Sequence, residues 1–171
     1  MAPTHSSLTL RAPEPQDVDR MYLWENDPEM WRYGCSPAPL SRHQIWEYVN
    51  NYDADPLAAS QLRLIMDSPE GAVGAIDLYD IDMRNRRAFT GIMTAPAHRR
   101  KGYALEALRL MAEYCRHNLG LERIAATVAA DNRPSLELFH KAGFAEAAIL
   151  PSWVRRGSKS FVDAHLFILT L

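Results

Sequence analysis

Thr94-Ala-Pro-Ala-His-Arg-Arg-Lys-Gly-Tyr-Ala-Leu-Glu-Ala-Leu108 is the stretch of this sequence that decides the fold. An extended apolar run over 89–93 stops at a turn with three consecutive cations, and Gly102 then opens a long amphipathic helix. The unpaired amides of a helix's first turn and the helix dipole favour an anion, and a glycine without a Cβ lets an oxyanion approach the backbone. The stretch therefore predicts a strand, a phosphate-binding loop and a helix in succession.

Length and composition favour one globular domain that spans residues 1–171. The chain is 47% hydrophobic with a formal net charge of -2, which gives no general sign of nucleic-acid binding. Its apolar runs are shorter than the roughly 20 residues that cross a membrane, and its polar start does not resemble a signal peptide. The two distant cysteines, Cys35 and Cys115, predict free thiols and a cytoplasmic, reducing compartment. The histidines show no ligand spacing, so no metal site is predicted.

Hydrophobic periodicity and turn residues predict an alternation of strands and helices that is typical of an α/β domain with a mixed sheet. Seven strands are predicted, at Leu8–Arg11, Gln61–Asp67, Ala72–Ile81, Ala88–Thr94, Arg123–Val128, Phe144–Trp153 and Phe161–Leu169. Helices are predicted at Asp17–Asn26, at Glu29–Gly34, from the Ser41 capping box to near Tyr52, from Gly102 to Gly120, and from the first turn around Pro134 to Gly143.

Two motifs in this frame resemble those of the GNAT superfamily of N-acetyltransferases. The first is Arg99-x-x-Gly102-x-Ala104, and the second is Ala130-Asp-Asn-Arg-Pro-Ser-Leu-Glu-Leu-Phe-His-Lys-Ala-Gly-Phe144. One helix and one strand separate them, as in that superfamily. The resemblance implies an α/β GNAT fold, with a mixed central sheet of about seven strands that splays between strands 4 and 5 and is flanked by four helices.

The resemblance also implies that acetyl-CoA binds as a co-substrate in the opening between strands 4 and 5. The fourth strand would offer backbone groups to the pantetheine arm, the loop would wrap the pyrophosphate, and the start of the last helix would border the thioester. The residues that would hold acetyl-CoA are Ile92, Met93, Thr94, Arg99, Arg100, Lys101, Gly102, Tyr103, Ala104, Asn132 and Ser135.

Within the superfamily, the chain looks most like the spermidine and diamine N-acetyltransferases, with the ribosomal-protein N-terminal acetyltransferases next. This implies direct attack by a primary amine on the thioester in a ternary complex. The usual tyrosine acid is replaced by Phe139, and the usual glutamate base by Phe89. Asp77 and Ser135 are therefore the candidate catalytic residues. Strand alternation places Asp77 and Asp80 on opposite faces, so at most one of them faces the cleft.

The early helices of this fold usually line the acceptor pocket, and here they are rich in aromatic and acidic residues. Such residues suit an alkylammonium through cation–π and ion-pair contacts. The predicted acceptor residues are Glu25, Trp31, Tyr33 and Asp77. The spermidine enzymes carry an acidic cluster after an Arg-Tyr pair, whereas Arg32-Tyr33 is followed here by Gly-Cys-Ser-Pro-Ala-Pro, which speaks against an allosteric polyamine site.

Three functions remain open at this point. The first is transfer of an acetyl group to a polyamine-like or diamine-like small molecule, and the second is acetylation of a peptide N-terminus. The third is a non-catalytic acyl-CoA-binding module, which Phe89 and Phe139 would suit. Basic clusters at Arg84–Arg87 and Arg155–Arg156 fall at predicted hairpin turns and are expected to be solvated, so no nucleic-acid or membrane partner is predicted. A homodimer is the expectation from resemblance.

Overall fold

Seven strands and six α-helices make up the described residues, 8–33 and 38–171, of the computed structural model. In chain order they are β1 (Thr9–Arg11), α1 (Val18–Glu25), α2 (Pro28–Trp31), α3 (Arg42–Asn50), α4 (Pro56–Ala59), β2 (Gln61–Ser68), β3 (Gly71–Asp82), β4 (Arg87–Thr94), α5 (Tyr103–His117), β5 (Arg123–Ala129), α6 (Arg133–Lys141), β6 (Ala145–Arg155) and β7 (Phe161–Thr170). The strands form one sheet in the order β1-β2-β3-β4-β5-β7-β6. The expected mixed sheet of seven strands is confirmed, and α1, α3, α5 and α6 are its four longer helices.

Two short helices differ from the sequence-based expectation. α2 ends at Trp31 rather than at residue 34, after a start at which the Asp27 carboxylate accepts from the Glu29 amide at 2.9 Å. α4 is a single turn that was not predicted, although Asp55 caps it in the same way and Pro56 occupies its first position. One turn carries no periodicity that a sequence pattern could reveal. Cys35 and the rest of 34–37 lie outside the described residues.

The sheet splays apart between β4 and β5, which are parallel. They pair only through the first three residues of each, from Arg87 opposite Arg123 to Phe89 opposite Ala125. Beyond Phe89, β4 stays bonded to β3 as far as Thr94, and β5 stays bonded to β7 as far as Ala129. The two strands therefore part at mid-length, and the backbone groups that face the gap are left for a ligand.

The core lies on both faces of the sheet. One face packs against α5, whose buried Ala107, Leu108, Met111 and Cys115 recur at helical spacing. The other face packs against α1 and α3, which bury Met21, Ile45 and Val49 against the residues of β2 and β3. Burial raises the pKa of the Cys115 thiol to about 12, so this free cysteine is a core residue rather than a nucleophile.

A fully buried carboxylate anchors the N-terminal segment. Both oxygens of Asp17 bind the Arg11 guanidinium, at 2.7 and 3.0 Å, and one also accepts from the Glu14 amide at 2.9 Å. Burial alone would raise the pKa of Asp17, but the Arg11 hydrogen bond and the Glu14 amide outweigh it and lower the pKa. The ion pair therefore ties β1 to the start of α1.

Asp17→Asn is expected to lower the free energy of unfolding at neutral pH by about 2 kcal/mol, because Arg11 loses its buried counter-charge. A carboxylate with a lowered folded-state pKa stabilises the fold above its unfolded pKa and loses that contribution as the pH falls through the folded pKa. The difference from wild type should therefore shrink below about pH 4. Urea unfolding at several pH values measures it, with the 79% exposed Asp19 changed to asparagine as the control. A pH-independent difference would contradict this account.

Candidate active site

The gap between β4 and β5 opens into a cleft of about 490 Å³. Its walls are the diverging ends of the two strands, the first turn of α6, and the α1–α2 region that lies over the sheet. The predicted residues that line it are Glu25, Trp31, Tyr33, Asp77, Ile92, Met93, Asn132, Ser135 and Phe139. One cleft therefore brings together the predicted acceptor residues, the predicted catalytic residues and the pantetheine part of the predicted acetyl-CoA site.

The loop between β4 and α5 has the backbone shape of an anion cradle. Gly102 is the N-cap of α5 with φ of +86°, and Arg100 also has a positive φ, of 62°. A Cβ built on Gly102 would meet no heavy atom within 4 Å, so the space in front of the helix N-terminus is open. The free amides of the first turn, the helix dipole and the neighbouring cations fit a diphosphate there.

Acidic side chains from two other segments already partner two of the three cations of this loop, Arg99 and Lys101. Glu70, in the β2–β3 turn, lies 2.7 Å from the Lys101 ammonium, accepts from the Tyr103 hydroxyl at 3.2 Å, and lies 3.2 Å from the His98 ring nitrogen. Its hydrogen bond to Lys101 lowers the pKa of Glu70 and raises that of Lys101. Arg99 lies 3.1 Å from Glu29, and its side chain also donates to the Thr94 carbonyl.

Glu70→Gln is expected to strengthen acetyl-CoA binding by about threefold to tenfold at low salt, because Glu70 and a phosphate would compete for Lys101. Added salt should reduce the gain, since the ion pair is exposed. Calorimetric titration of CoA measures it. The matched control is Glu122→Gln, which breaks an exposed pair with Arg86 elsewhere on the molecule. Unchanged or weaker binding would show that Glu70 organises the loop rather than competing for it.

The start of α6 combines a helix cap with the far wall of the cleft. The Asn132 side-chain oxygen caps the helix by accepting from the Ser135 amide at 3.3 Å. This cap joins the Asn132 side-chain oxygen to the Ser135 backbone amide and does not involve the Ser135 hydroxyl. Phe139, one helical turn further on, is buried at the base of the cleft, with its ring edge-on to Phe144 at 5.0 Å and stacked on Phe167 at 5.9 Å.

The acceptor side centres on an arginine that holds two carboxylates, a group defined here as the Arg63 cluster (Glu25, Arg63 and Asp77). Arg63 donates from Nε to one Asp77 oxygen at 2.7 Å and from Nη2 to the other at 2.8 Å, and its Nη1 donates to Glu25. Burial would lower the pKa of Arg63, but Asp77 and Glu25 together hold it above its ordinary value. Two carboxylates and one guanidinium give the cluster a formal net charge of -1.

Asp80 lies away from this cluster. It is exposed, with a positive φ of 50°, at an irregularity where the pairing of β3 with β4 shifts between Tyr79 and Asp82. Of the two aspartates that strand alternation placed on opposite faces, Asp77 is therefore the one that lines the cleft.

Among the described residues, no group of three or more His, Cys, Asp or Glu side chains could hold a metal ion. No described helix is long and apolar enough to cross a membrane.

Arg156, in the turn between β6 and β7, contacts the segment that carries Arg32 and Tyr33. Both Arg156 side-chain contacts to Asp131 are 2.8 Å long, and Arg156 also donates to the Arg32 carbonyl. Arg32 adds a further ion pair to Asp131 at 3.1 Å, and both guanidinium groups lie over the Tyr33 ring. The Arg156 hydrogen bond holds the pKa of Asp131 far below its ordinary value. The expectation of a solvated Arg156 was therefore wrong, because this side chain is only 13% exposed.

Several residues that shape the site are not singled out by any sequence pattern. Arg63 sits in a strand as one charge among apolar neighbours, and only that isolation could have drawn attention to it. Glu70 and Asp131 are ordinary turn and loop acids until the fold brings cations to them. The sequence predicts only that Gly74 lies in a strand. The structure shows that a Cβ there would lie 2.2 Å from the Met93 carbonyl oxygen.

Comparisons with known proteins identify the family of this chain. A family model described as an acetyltransferase (GNAT) domain matches residues 7–145. A spermidine N(1)-acetyltransferase of Vibrio cholerae is 28% identical over 142 residues, which is 83% of this chain and 81% of that protein. An L-amino acid N-acetyltransferase of Escherichia coli is 26% identical over 160 residues, or 94% and 96% of the two chains.

A crystal structure of the spermidine N-acetyltransferase from Vibrio cholerae, in complex with CoA and spermine, has a similar fold. It superposes with a TM-score of 0.86 at 24% identity and covers 97% of this chain and 96% of its own. At that identity, the likeness establishes the fold alone.

Proposed function

The chain belongs to the GNAT acetyltransferase family and is an acetyl-CoA-dependent N-acetyltransferase, and from this premise we propose that its acceptor is a small primary amine. The observation that carries the proposal is the cleft itself. It is lined by the carboxylates of Glu25 and Asp77 and by the rings of Trp31 and Tyr33, together with residues 90–93 of β4. Carboxylates beside aromatic faces recognise an ammonium group.

The residues predicted to hold acetyl-CoA fit the cofactor in three parts. We assign the pyrophosphate to the cradle of residues 99–104, whose open space at Gly102 accommodates an anion. The pantetheine arm is assigned to the backbone of residues 92–94 and to Asn132, all at the splayed edge. When bound, acetyl-CoA supplies the activated acetyl thioester. The chain's own contribution is then to bind, orient and desolvate the amine, and positioning alone can supply much of the rate.

The two candidate catalytic residues, Asp77 and Ser135, are assigned different roles, and neither removes the amine proton. Because Arg63 binds both oxygens of Asp77, this carboxylate is better suited to holding an ammonium than to removing its proton. The amine proton is assigned to water that enters through the acceptor side. The Ser135 hydroxyl, which is not part of the α6 cap, is proposed to donate a hydrogen bond to the leaving thiolate, and the thiolate then takes its proton from the water that accepted the amine proton. A thiol is already an adequate leaving group, so the apolar Phe139 does not preclude turnover.

A peptide N-terminus is the second candidate acceptor. The observation that favours it is the exposed Tyr33, which the hairpin holds at the rim of the cleft, where a chain could continue beyond the amine. An amino acid acceptor, the class named for the Escherichia coli relative, would require a free cation for its carboxylate. Arg63 is the cation closest to the acceptor carboxylates, and it is already engaged by both of them.

The test is release of free CoA from acetyl-CoA, followed colorimetrically across a panel of amines. The panel holds putrescine, spermidine, spermine, amino sugars, aminoglycosides and short peptides with free N-termini. We expect turnover with small primary amines, whereas turnover with peptides alone would select the second candidate. Acetyl-CoA binding without release of CoA for any acceptor would contradict the proposed function and favour the binding module.

The outer edge of the sheet supports the expected homodimer. β6 is the last strand, and it and β7 expose the large apolar residues Ile149, Trp153 and Phe161. We propose that a second copy covers this edge, because an exposed apolar edge strand favours pairing. Light scattering of the purified chain should give twice the monomer mass, and a monomer would contradict the assignment.

The free, buried Cys115 suits the proposed cytoplasmic location.

A further inference from the structure

A second cavity lies behind the acceptor carboxylates. It has a volume of about 410 Å³, within the range of small-molecule pockets, and it lies between α1, α3 and the β2–β3 face of the sheet. It shares Met21, Tyr79 and the whole Arg63 cluster with the cleft, so the cluster stands between the two spaces. We call this second cavity the inner pocket.

The inner pocket is uncharged apart from the Arg63 cluster. Its other lining residues are neutral, and most are apolar or aromatic: Met21, Leu40, Gln44, Ile45, Tyr48, Gln61, Leu62, Leu78 and Tyr79. Burial is the largest effect on the Tyr48 hydroxyl and raises its pKa, so the phenol stays neutral. A second cation in this pocket would find no carboxylate other than the two that Arg63 already binds.

The charges of the cluster set the number of ammonium groups that it can hold. Two carboxylates and one guanidinium leave a single negative charge, which one ammonium neutralises. Three Arg63 nitrogens already donate to these carboxylates, so the cluster gives little binding to a substrate carboxylate. An acceptor with one positive charge and an apolar tail matches both the cluster and the pocket behind it.

We propose that the acceptor is an amphipathic monoamine, a primary amine with one alkyl or aryl tail, and that the tail occupies the inner pocket. This inference rests on the proposed function and narrows its substrate class. Arg63 acts as a specificity determinant by cancelling one of the two carboxylates. A diamine of the same length would have to place its second ammonium among Leu40, Ile45 and Tyr48, where no further carboxylate compensates it.

The test compares kcat/KM for hexylamine and 1,6-diaminohexane, which have the same chain and differ in one terminal ammonium. We expect the monoamine to be preferred by about tenfold or more, which corresponds to about 1.4 kcal/mol in transition-state binding. Equal values, or a preference for the diamine, would overturn the inference and leave the proposed acetylation of amines standing. Absence of turnover with both amines and with the whole amine panel would overturn the two together.

Two variants test the roles of the charge and of the pocket. Arg63→Gln leaves the cluster with a charge of -2 and should move the ratio toward the diamine by about tenfold, whereas Arg42→Gln should not change it. Arg42 is the matched control because it pairs with Asp19 and lies over Tyr22, outside both cavities. Should Arg63→Gln fold poorly, Leu40→Trp serves instead. It should impair hexylamine more than propylamine, and equal impairment would contradict a tail in the inner pocket.

Discussion

Gly102→Glu is expected to abolish acetyl-CoA binding, weakening it by more than about 100-fold. The new side chain would fill the open space in front of the α5 N-terminus and set a negative charge where a diphosphate is expected to bind. The fold should survive, because a built Cβ meets nothing within 4 Å and the cost is left-handed backbone strain of about 1–2 kcal/mol. Calorimetric titration of CoA gives the affinity, and thermal unfolding checks the fold.

Two further substitutions separate strain from obstruction at this position. Gly102→Asn keeps a residue that tolerates positive φ, adds no charge, and should weaken binding far less than glutamate. Gly157→Glu places the same side chain in the β6–β7 turn, remote from the loop, and should leave the affinity unchanged. Normal CoA binding by Gly102→Glu would show that the pyrophosphate does not bind at this loop.

Gly74→Ala is expected to cost about 3 kcal/mol of stability and to reduce kcat/KM by more than tenfold. Gly74 pairs with Thr94, and an added Cβ would lie 2.2 Å from the Met93 carbonyl oxygen and 3.0 Å from the Thr94 Cα. Both neighbours are backbone atoms, so the end of β4 must move. Those same residues are proposed to hold the pantetheine arm, and a displacement there would misplace the thioester.

Gly91→Ala supplies the matched control on the same sheet. Its added Cβ would meet only the Tyr79 ring, at an ordinary 3.8 Å, so stability should change little. Thermal unfolding should separate the two variants by roughly 6–12 °C, as expected for a chain of this size. If Gly74→Ala retained wild-type stability and activity, the close approach of β3 and β4 would not matter for the site.

Short-range sequence signals account for the helices and turns that could be predicted. The Ser41–Gln44 capping box, the helical spacing in α5 and the positive φ at Gly120 and Gly143 each depend on residues a few positions apart. Such features are visible in the sequence because propensity, capping and turn chemistry act over one or two helical turns. The basic turn before α5 was predictable for the same reason, since its cations, its glycine and its helix are contiguous.

The acceptor side was only partly predictable. Asp77, Glu25, Trp31 and Tyr33 do line one cleft, as expected from the resemblance, but their partners were not foreseen. Arg63 turns Asp77 from a candidate base into one member of an ion cluster. Asp131 and Arg156 both bind Arg32, which lies 99 and 124 residues earlier in the chain, and so hold the Tyr33 segment in place. Contacts across 14 to 124 residues leave no periodic trace in a single sequence.

The sequence by itself determined most of the order of the elements, the basic turn before α5 and the family, because those depend on short-range patterns. Only the tertiary structure decided the charge of the acceptor site, the inner pocket behind it and the acid that partners Lys101. Each of these depends on how strands pair and where loops meet, so it arises from side chains that only the folded sheet brings within about 3–4 Å of one another.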